Sequence, residues 1–579
     1  MIFFDFEVFQ YYWCVVIIKP FEQLIRVIDD RDELIQFYNE NLKEVWCGYN
    51  VKGYDQYILK GIVLGLSPKK INDHIISGEP AWKFSSAFNK VPLIVYDCIV
   101  KRAGMYVSLK ELEGHMGLNI RECSVPFNLN RPLTDEEKQE VHAYCITDVE
   151  NTVRVFLNTK KSYDSTVGLL RMYKLPTNYL SKTDGQLSAI VLEANRVHGR
   201  TDEFEIELPE PLQLSKYQHI ADWYLNPINQ DYSKNQTEVV YGVEHEFRWG
   251  GVHAARSNYS AEGFIVTSDV ASLYPSLMIE YDLLSRNVKD PRKYEEIKNL
   301  RIKLKKEKNP LQEALKLVLN TTYGVMKDRN NDMYDPLMAN LVCIFGQVLI
   351  LDLLEKIELK FGDKVELIQS NTDGIFVKLS DKAIFDDYKA VCDEWSNRTG
   401  LILEHEIGTK MVQKDVNNYI FVMEDGKYKP KGAYVKKISP DAMDYDLPIV
   451  NKAVVEYFVH NTPVKDTVNS CNNLMEFQKI VKVSSKYYCA IHGDEELQEK
   501  CLRVFASKNR LDRGVFKKKE QYSNKKEKIG NTPERCFIDN SDVTNKTIPD
   551  YLDKNWYIEL AEKRIEDYIG KDLGQMRLW

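Results

Sequence analysis

The sequence predicts a multidomain protein that combines α/β and α+β domains. Three observations carry this. The chain has 579 residues, well beyond the length at which a single hydrophobic core stops growing. Up to about residue 155, short β-rich apolar runs alternate with amphipathic stretches, the pattern of an α/β domain. From residue 263 the order becomes strand, helical region, strand, as when helices interrupt one sheet.

The elements follow in order. IFFDFEVF and YYWCVVII read as two strands, and DELIQFYNENLKEV has its apolar residues at helical spacing. WCGYN reads as a strand end, and VPLIVYDCIV (91–100) as a further buried strand. Residues 202–240 are polar and proline-containing, and read as a connector. GFIVTSDV (263–270) is a strand, and residues 291–308 form a charged helix. At Asn309-Pro310 the chain breaks. Asn309 is expected to cap the next helix, with Pro310 at its first position and Gln312 in the capping box. That helix, LQEALKLVLNTTYG, is expected to end near Gly324. A helix over 338–360 then leads into IQSNTDGIFVKL (368–379), two β-prone arms around a polar tip.

Composition sets limits. Lys+Arg number 78 and Asp+Glu 86, a net charge of −8, so the chain as a whole is no polycation. Phosphate contacts depend on local patches, and basic runs exist at 298–308, KNLRIKLKKEK, and at 508–528. Eleven cysteines are scattered without a C-x-x-C pair, which fits a reducing compartment. The N-terminus holds Asp5 and Glu7 and has no basic leader, and no segment reads as a membrane span. A cytoplasmic protein is expected.

Carboxylates recur at chemically suggestive spacings. Asp5 and Glu7 are two apart on a strand, so they share a face. Buried together they repel unless a cation joins them. GYNVKGYD (48–55) adds Asn50 and Asp55, and HAYCITDVENTVRVF places Tyr144 and Asp148 four apart on one helix face. Asp97, in VYDC, reads as a neighbour of this set or, at least as well, as a structural residue. Further on, SDVASLYPSLMI ends a strand at Asp269, and KLVLNTTYG puts Lys316, Asn320 and Tyr323 on one helical face.

These stretches resemble the motifs of family B DNA polymerases with a 3′→5′ proofreading exonuclease, most of all the small bacteriophage-type members. D-x-E, N-x-x-x-Y-D and Y-x-x-x-D resemble the three exonuclease motifs. D-x-x-S-L-Y-P-S and K-x-x-x-N-x-x-Y-G resemble polymerase motifs A and B. NTDG stands where the family has D-T-D-S. FRWGGVHA (247–254) resembles the Y-x-G-G segment, and KDVNNY (414–419) the K-x-Y motif.

The resemblance implies a ribonuclease H-like exonuclease domain over 1–160 and a connector with the N-terminal palm over 161–260. The palm continues over 261–290 and 329–440, with a fingers helical hairpin at 291–328 and a thumb at 441–579. It implies that Asp5, Glu7, Asp55 and Asp148 hold two divalent metals, Mg²⁺ or in its place Mn²⁺, while Tyr144 orients the attacking water and Asn50 binds the DNA end. Asp269, the carbonyl of Val270 and Asp373 would hold a second pair. Ser272 and Leu273 would meet the triphosphate through their amides, and Tyr274 would exclude a 2′-hydroxyl. Lys316, with Arg301 and Lys305 on the preceding helix, would contact phosphates. Asn320 and Tyr323 would line the base and sugar pocket. Gly250, Gly251, Tyr419, Lys429 and Lys431 would contact primer–template DNA.

The implied partners are primer–template DNA, dNTPs and replication accessory proteins. The chain is expected to be a monomer without membrane attachment, in the host cytoplasm if viral. From Asp269 to Lys316 is 47 residues (316 − 269), and from Tyr323 to Asp373 is 50 (373 − 323). These intervals have little room for the insertions that serve priming by a protein and strand displacement. Asn371, neutral where the family has a carboxylate, leaves a second reading open: a 3′→5′ exonuclease whose polymerase half only binds DNA. A catalytically silent DNA-binding protein is a third, disfavoured by the acidic positions at both sites.

Overall fold

A computed structural model describes residues 1–522 and 524–570. The expected thumb, 441–579, therefore extends past the described residues at its C-terminal end. The chain forms two compact units. Unit 1 comprises Met1–Lys182, Ile438–Ile449 and Asn469–Tyr557, and unit 2 comprises Thr183–Lys437, Val450–Val468 and Ile558–Trp579.

Unit 1 begins with β1 (Ile2–Val8), β2 (Trp13–Lys19) and β3 (Leu24–Ile28), followed by α1 (Arg31–Glu40), β4 (Val45–Gly48) and α2 (Asp55–Val63). β5 (Ile94–Asp97) completes a sheet of order β3-β2-β1-β4-β5, in which β4 runs parallel to β1 and β5 to β4. Apolar residues of β1 alternate between two cores. Phe4 and Phe6 pack on the α1 and α2 side, and Phe3 packs on the side that holds Phe156. Two helices follow, α3 (Leu109–His115) and the 38-residue α4 (Asp135–Met172). A capping box between Thr134 and Glu137 starts α4.

The lysine-rich C-terminal segment is shared between the units rather than forming one of its own. Its strands Lys479–Lys482, Cys501–Ala506 and Cys536–Ile538 form a sheet in unit 1. Arg503, fully buried in the middle strand, donates from Nη2 to the carbonyls of Gly114 (3.2 Å), in the last turn of α3, and Leu118 (2.7 Å), just beyond it. Burial pushes its guanidinium down to about 10. Neutral carbonyls at a helix C-terminus therefore hold this cation, as the helix dipole favours.

In unit 2, α5 (Asp184–Val191) precedes the long strand β6 (Tyr259–Val270), and α6 (Leu273–Glu280) follows it directly. Next come α7 (Arg292–Lys306), α8 (Gln312–Met326), α9 (Pro336–Phe361), β7 (Val365–Asn371) and β8 (Gly374–Leu379). β9 (Leu403–Asp415), β10 (Asn418–Met423) and β11 (Tyr428–Lys431) complete a sheet whose order, from the short strand Ala254–Ala255, is β7-β8-β6-β9-β10-β11. The central position of β6 explains its run of buried residues from Ile265 to Ser268.

Three local expectations change. The helix after the break begins at Gln312, not Pro310, because the Asn309 side chain instead accepts from Leu311 N at 3.0 Å in a tight turn. The same helix runs on through Gly324 to Met326. The connector 202–240 contains a helix, Gln218–Leu225, and the first strand of a hairpin, Asn235–Val240 with Val243–Arg248. A fourth expectation also fails: α9 is long and apolar enough to cross a membrane, but its apolar window is 94% buried within the protein. Its polar residues serve the fold. Buried Gln347 donates to the carbonyls of Arg248 (2.9 Å) and Gly250 (2.7 Å) and accepts from Tyr224 at 2.9 Å.

Candidate active sites

In unit 1, Asp5, Glu7, Tyr144 and Asp148 line one cavity of about 540 Å³. Asp5 and Glu7 lie on one face of β1, and α4 brings Tyr144 and Asp148 to it. Asp55 is the first residue of α2 and fully buried, and its Oδ1 accepts from Phe6 N at 3.1 Å. It is thus anchored to the backbone of β1 between Asp5 and Glu7. Asn50 is left-handed (φ 61°), and its amide donates to Asp97 Oδ1 at 3.0 Å. Asp97 also accepts from Lys52 N (2.9 Å) and Ile99 N (3.0 Å), so it shapes the loop that leads to Asp55.

The electrostatics of this cluster are those of crowded carboxylates. Burial, reinforced by the charge of Asp148, pushes Asp5 up to about 7. Burial and the neighbouring carboxylates push Glu7 and Asp55 up as well. Asp148 is raised by burial, against the opposing pull of Lys110.

Three groups that sequence reading missed complete the site. Lys110 forms an ion pair with Asp148 and another with Glu113 at 3.3 Å, and its ammonium lies 4.6 Å from the Tyr144 ring centre. Burial alone would lower Lys110, but the two carboxylates outweigh it and hold it up. Buried Glu113 also accepts from Asn151 Nδ2 at 3.0 Å. Cys145 Sγ, one residue past Tyr144, stands 3.7 Å from Asp5 Oδ2. No linear motif links α3 to β1 and α4, so the only available signal was the apolar periodicity that predicts α3.

Ligand atoms of Asp5, Glu7 and Cys145 lie within 4.8 Å of one another. Carboxylate oxygens dominate the cluster and repel one another without a counter-charge, which suits a hard divalent cation. A carboxyl raised on folding binds a proton that the unfolded chain has released. Its stabilising effect is complete below its ordinary value and lost as pH rises through the folded one. For Asp5 that window runs from 3.8 to about 7. In chelator, the melting temperature should therefore fall as pH rises across this window, and Asp5→Asn should flatten the fall. Thermal melts in EDTA check this, and a wild-type profile that is flat across the window would contradict it.

In unit 2, a cavity of about 530 Å³ is lined by Ser272, Leu273, Tyr274, Asn320, Tyr323 and Asp373, with Lys431 among its other residues. β7 and β8 pair Asn371 with Gly374, which leaves Thr372 and Asp373 as a two-residue turn. β6 pairs Asp269 with Gly374, and Val270 N donates to Asp373 O at 2.7 Å. The two aspartates thus meet where two strand ends converge. A Cβ at position 374 would fall 2.0 Å from Asp269 Oδ1, so the turn requires glycine there. Burial, and to a lesser degree the charge of Asp373, pushes Asp269 up to about 6, although Thr267 Oγ1 donates to it at 3.1 Å.

Ser272 takes the left-handed conformation (φ 51°) and starts α6, so the first amides of that helix end at this cavity. α8 contributes Asn320 and Tyr323, and the Tyr323 and Tyr274 rings lie 4.3 Å apart. Tyr323 is fixed in turn by Cys343, with OH to Sγ at 2.6 Å. β11 pairs Lys431 with Tyr419, and its ammonium lies 5.7 Å from the Tyr419 ring centre.

The other expected residues lie outside the cavity lining. Lys316 is one turn before Asn320 on α8 and 4.0 Å from Glu313. Arg301 and Lys305 are on α7. Lys429 pairs with Glu406. Gly250 is held through its carbonyl by Gln347. A Cβ on Gly251 would fall 2.5 Å from Thr372 Oγ1, so this glycine admits the hairpin tip.

His253 and Thr372 line the cavity without having been singled out from sequence. Asn371 lines it too, and its Oδ1 is buried without a hydrogen-bond partner among the described residues. An orphaned acceptor costs about 1–3 kcal/mol unless a donor or cation meets it. Together with two converging carboxylates, it suits a site that takes a divalent cation and a polyanion.

No protein-family model matches the chain, and no curated protein matches it. Among solved structures, the chain is similar to the family B DNA polymerase of the hyperthermophilic archaeon Pyrobaculum calidifontis. The match covers 98% of this chain and 77% of that one, at 15% identity and a TM-score of 0.41.

Proposed function

We propose that this protein is a DNA-directed DNA polymerase of the small bacteriophage type of family B, with a 3′→5′ proofreading exonuclease. The observation that carries this reading is the convergence of Asp269 with the Thr372–Asp373 turn, beside a cavity lined by Tyr274, Asn320 and Tyr323. A strand end, a helix N-terminus and a hairpin tip then supply what a nucleotidyl transfer site needs: carboxylates, amides for phosphate, and rings for the sugar and base.

In the polymerase reaction the primer 3′-hydroxyl attacks the α-phosphorus of a dNTP in line, and pyrophosphate leaves. The first amides of α6, at Ser272 and Leu273, receive triphosphate oxygens. Lys316, Arg301 and Lys305 on the fingers helices supply further positive charge. Tyr274 underlies the deoxyribose, and Asn320 and Tyr323 flank the nascent pair. In the nuclease reaction Tyr144 orients water at the 3′-terminal phosphate, while Lys110 holds Asp148 in place. Asp269, Asp373 and the Val270 carbonyl in one site, and Asp5, Glu7, Asp55 and Asp148 in the other, would hold Mg²⁺ or Mn²⁺, which lowers the cost of charge on the attacking and leaving oxygens.

In this reading the palm comprises β6–β11, the fingers are α7 and α8, and the C-terminal segment provides the thumb. Asn50, Gly250, Gly251, Tyr419, Lys429 and Lys431 contact the DNA strands. The chain acts as a monomer in the host cytoplasm, alongside replication accessory proteins. The test is extension of a recessed primer on a template by purified protein with Mg²⁺ and four dNTPs. Synthesis to the template end is expected, and a primer that never lengthens contradicts the reading.

Asn371 favours a second reading, a 3′→5′ exonuclease whose polymerase half only binds DNA, because it lowers the charge of the polymerase site. The same assay separates the two, since that protein would shorten the primer and never extend it. Sugar selection gives a further check. Tyr274→Ala should raise ribonucleotide incorporation relative to deoxyribonucleotide by about tenfold or more, as expected for removing a steric block. Competition between the two nucleotides measures it, and unchanged selection would remove Tyr274 from this role.

A further inference from the structure

Unit 1 carries a second cavity, which neither reaction above uses. It measures about 590 Å³ and is lined by Tyr57 and Lys60 of α2, and by Trp82, Lys83, Phe88 and Asn89 from the turns that follow. Its lining includes two ammonium groups, three aromatic rings and no carboxylate. Trp82 is 63% exposed, which leaves an indole face open. Tyr57 and Phe88 meet edge to face at 5.3 Å, so one wall is already built.

Lys60 is half-buried, and among the described residues its Nζ has only the neutral Gln56 Oε1, at 3.3 Å, as a hydrogen-bond partner. Neither Lys60 nor Lys83 has a carboxylate partner among the described residues. Their ammonium groups each lie 5.8 Å from a ring centre, Lys60 over Tyr57 and Lys83 over Trp82. Burial lowers Lys60, a cost that an anion at the cavity would relieve.

Flat rings beside unpaired cations fit a ligand that is itself planar and anionic. A base can stack on an indole whatever its sequence, and a lysine on the same wall can meet the adjoining phosphate. An acidic peptide would satisfy the lysines but leave the indole idle. We propose that this cavity is a second single-stranded nucleic-acid site, taking one nucleotide with its base on Trp82 and its phosphate on Lys60 and Lys83.

The inference goes beyond the nuclease reading and does not need it. The test is fluorescence anisotropy of a labelled oligo(dT) strand bound to the full chain in EDTA, where no cutting depends on metal. Trp82→Ala should weaken binding by about tenfold, and Trp82→Phe should recover most of that loss by restoring a stacking surface. In Lys60→Gln/Lys83→Gln the slope of log affinity against log salt should become shallower by about 0.7, the value for one lost phosphate contact on single strands. Unchanged affinity in Trp82→Ala would overturn the proposal. So would a loss confined to the lysine variant, which would indicate a site for polyanions or acidic peptides.

Discussion

Asp373→Asn should abolish primer extension, by at least about a thousandfold, while 3′→5′ degradation by the same protein continues. The expectation follows from where the residue sits. Asp373 occupies the tip of a two-residue turn, its own carbonyl accepts from Val270 N at 2.7 Å, and Asp269 faces the adjoining Gly374. The turn therefore fixes the backbone of both aspartates, and the variant keeps that geometry while removing a charge. The amide keeps the shape but lacks the charge with which a carboxylate would hold a hard divalent cation beside the phosphates.

The contrast lies two residues earlier. Asn371→Asp should keep extension measurable and far above that of the Asp373 variant, because the wall already presents an orphaned side-chain oxygen at that position. Single-turnover incorporation of one dNTP separates the two variants. Equal losses would refute the division of roles between Asn371 and Asp373.

Asp5→Ala combined with Asp148→Ala should remove 3′→5′ degradation by at least about a thousandfold and leave extension intact. Asp5 is buried beside the charge of Asp148, so the two substitutions remove a directly interacting pair. Removing Asp148 takes one partner from Lys110, but Glu113 remains at 3.3 Å, so the buried cation is not left unpaired. The fold should therefore survive, which a thermal melt verifies. Degradation of a labelled single strand is the readout, and residual wild-type degradation would place the nuclease chemistry elsewhere.

Residues that act within one element were legible in the sequence, and residues brought together from several were not. Asp5 with Glu7 on β1, Tyr144 with Asp148 on α4, and Asn320 with Tyr323 on α8 follow from the strand and helix periods alone. The NTDG turn is equally local. Lys110, itself paired with Glu113, reaches the Asp148 carboxylate from a different helix, 38 residues away (148 − 110), and periodicity carries no information on that meeting. His253 likewise enters its cavity through a segment positioned by Gln347, a buried residue of α9.

The same distinction governs the longer segments. α9 satisfies the length and apolarity of a membrane span, and only its packing shows it to be a core helix. The C-terminal segment reads as a thumb from its position and lysine content alone. Its division between the units depends on buried contacts such as Arg503 with the carbonyls at the C-terminal end of α3, where a cation serves the interior instead of DNA.

The central claim is that one chain both trims and extends a DNA 3′ end. The most direct measurement uses a 5′-labelled primer with a mismatched 3′ nucleotide on a template, with Mg²⁺, in the absence and presence of dNTPs. Without dNTPs the primer should shorten stepwise. With them it should first lose the mismatched nucleotide and then lengthen to the template end. Shortening in both conditions, with no product longer than the starting primer, would contradict the account.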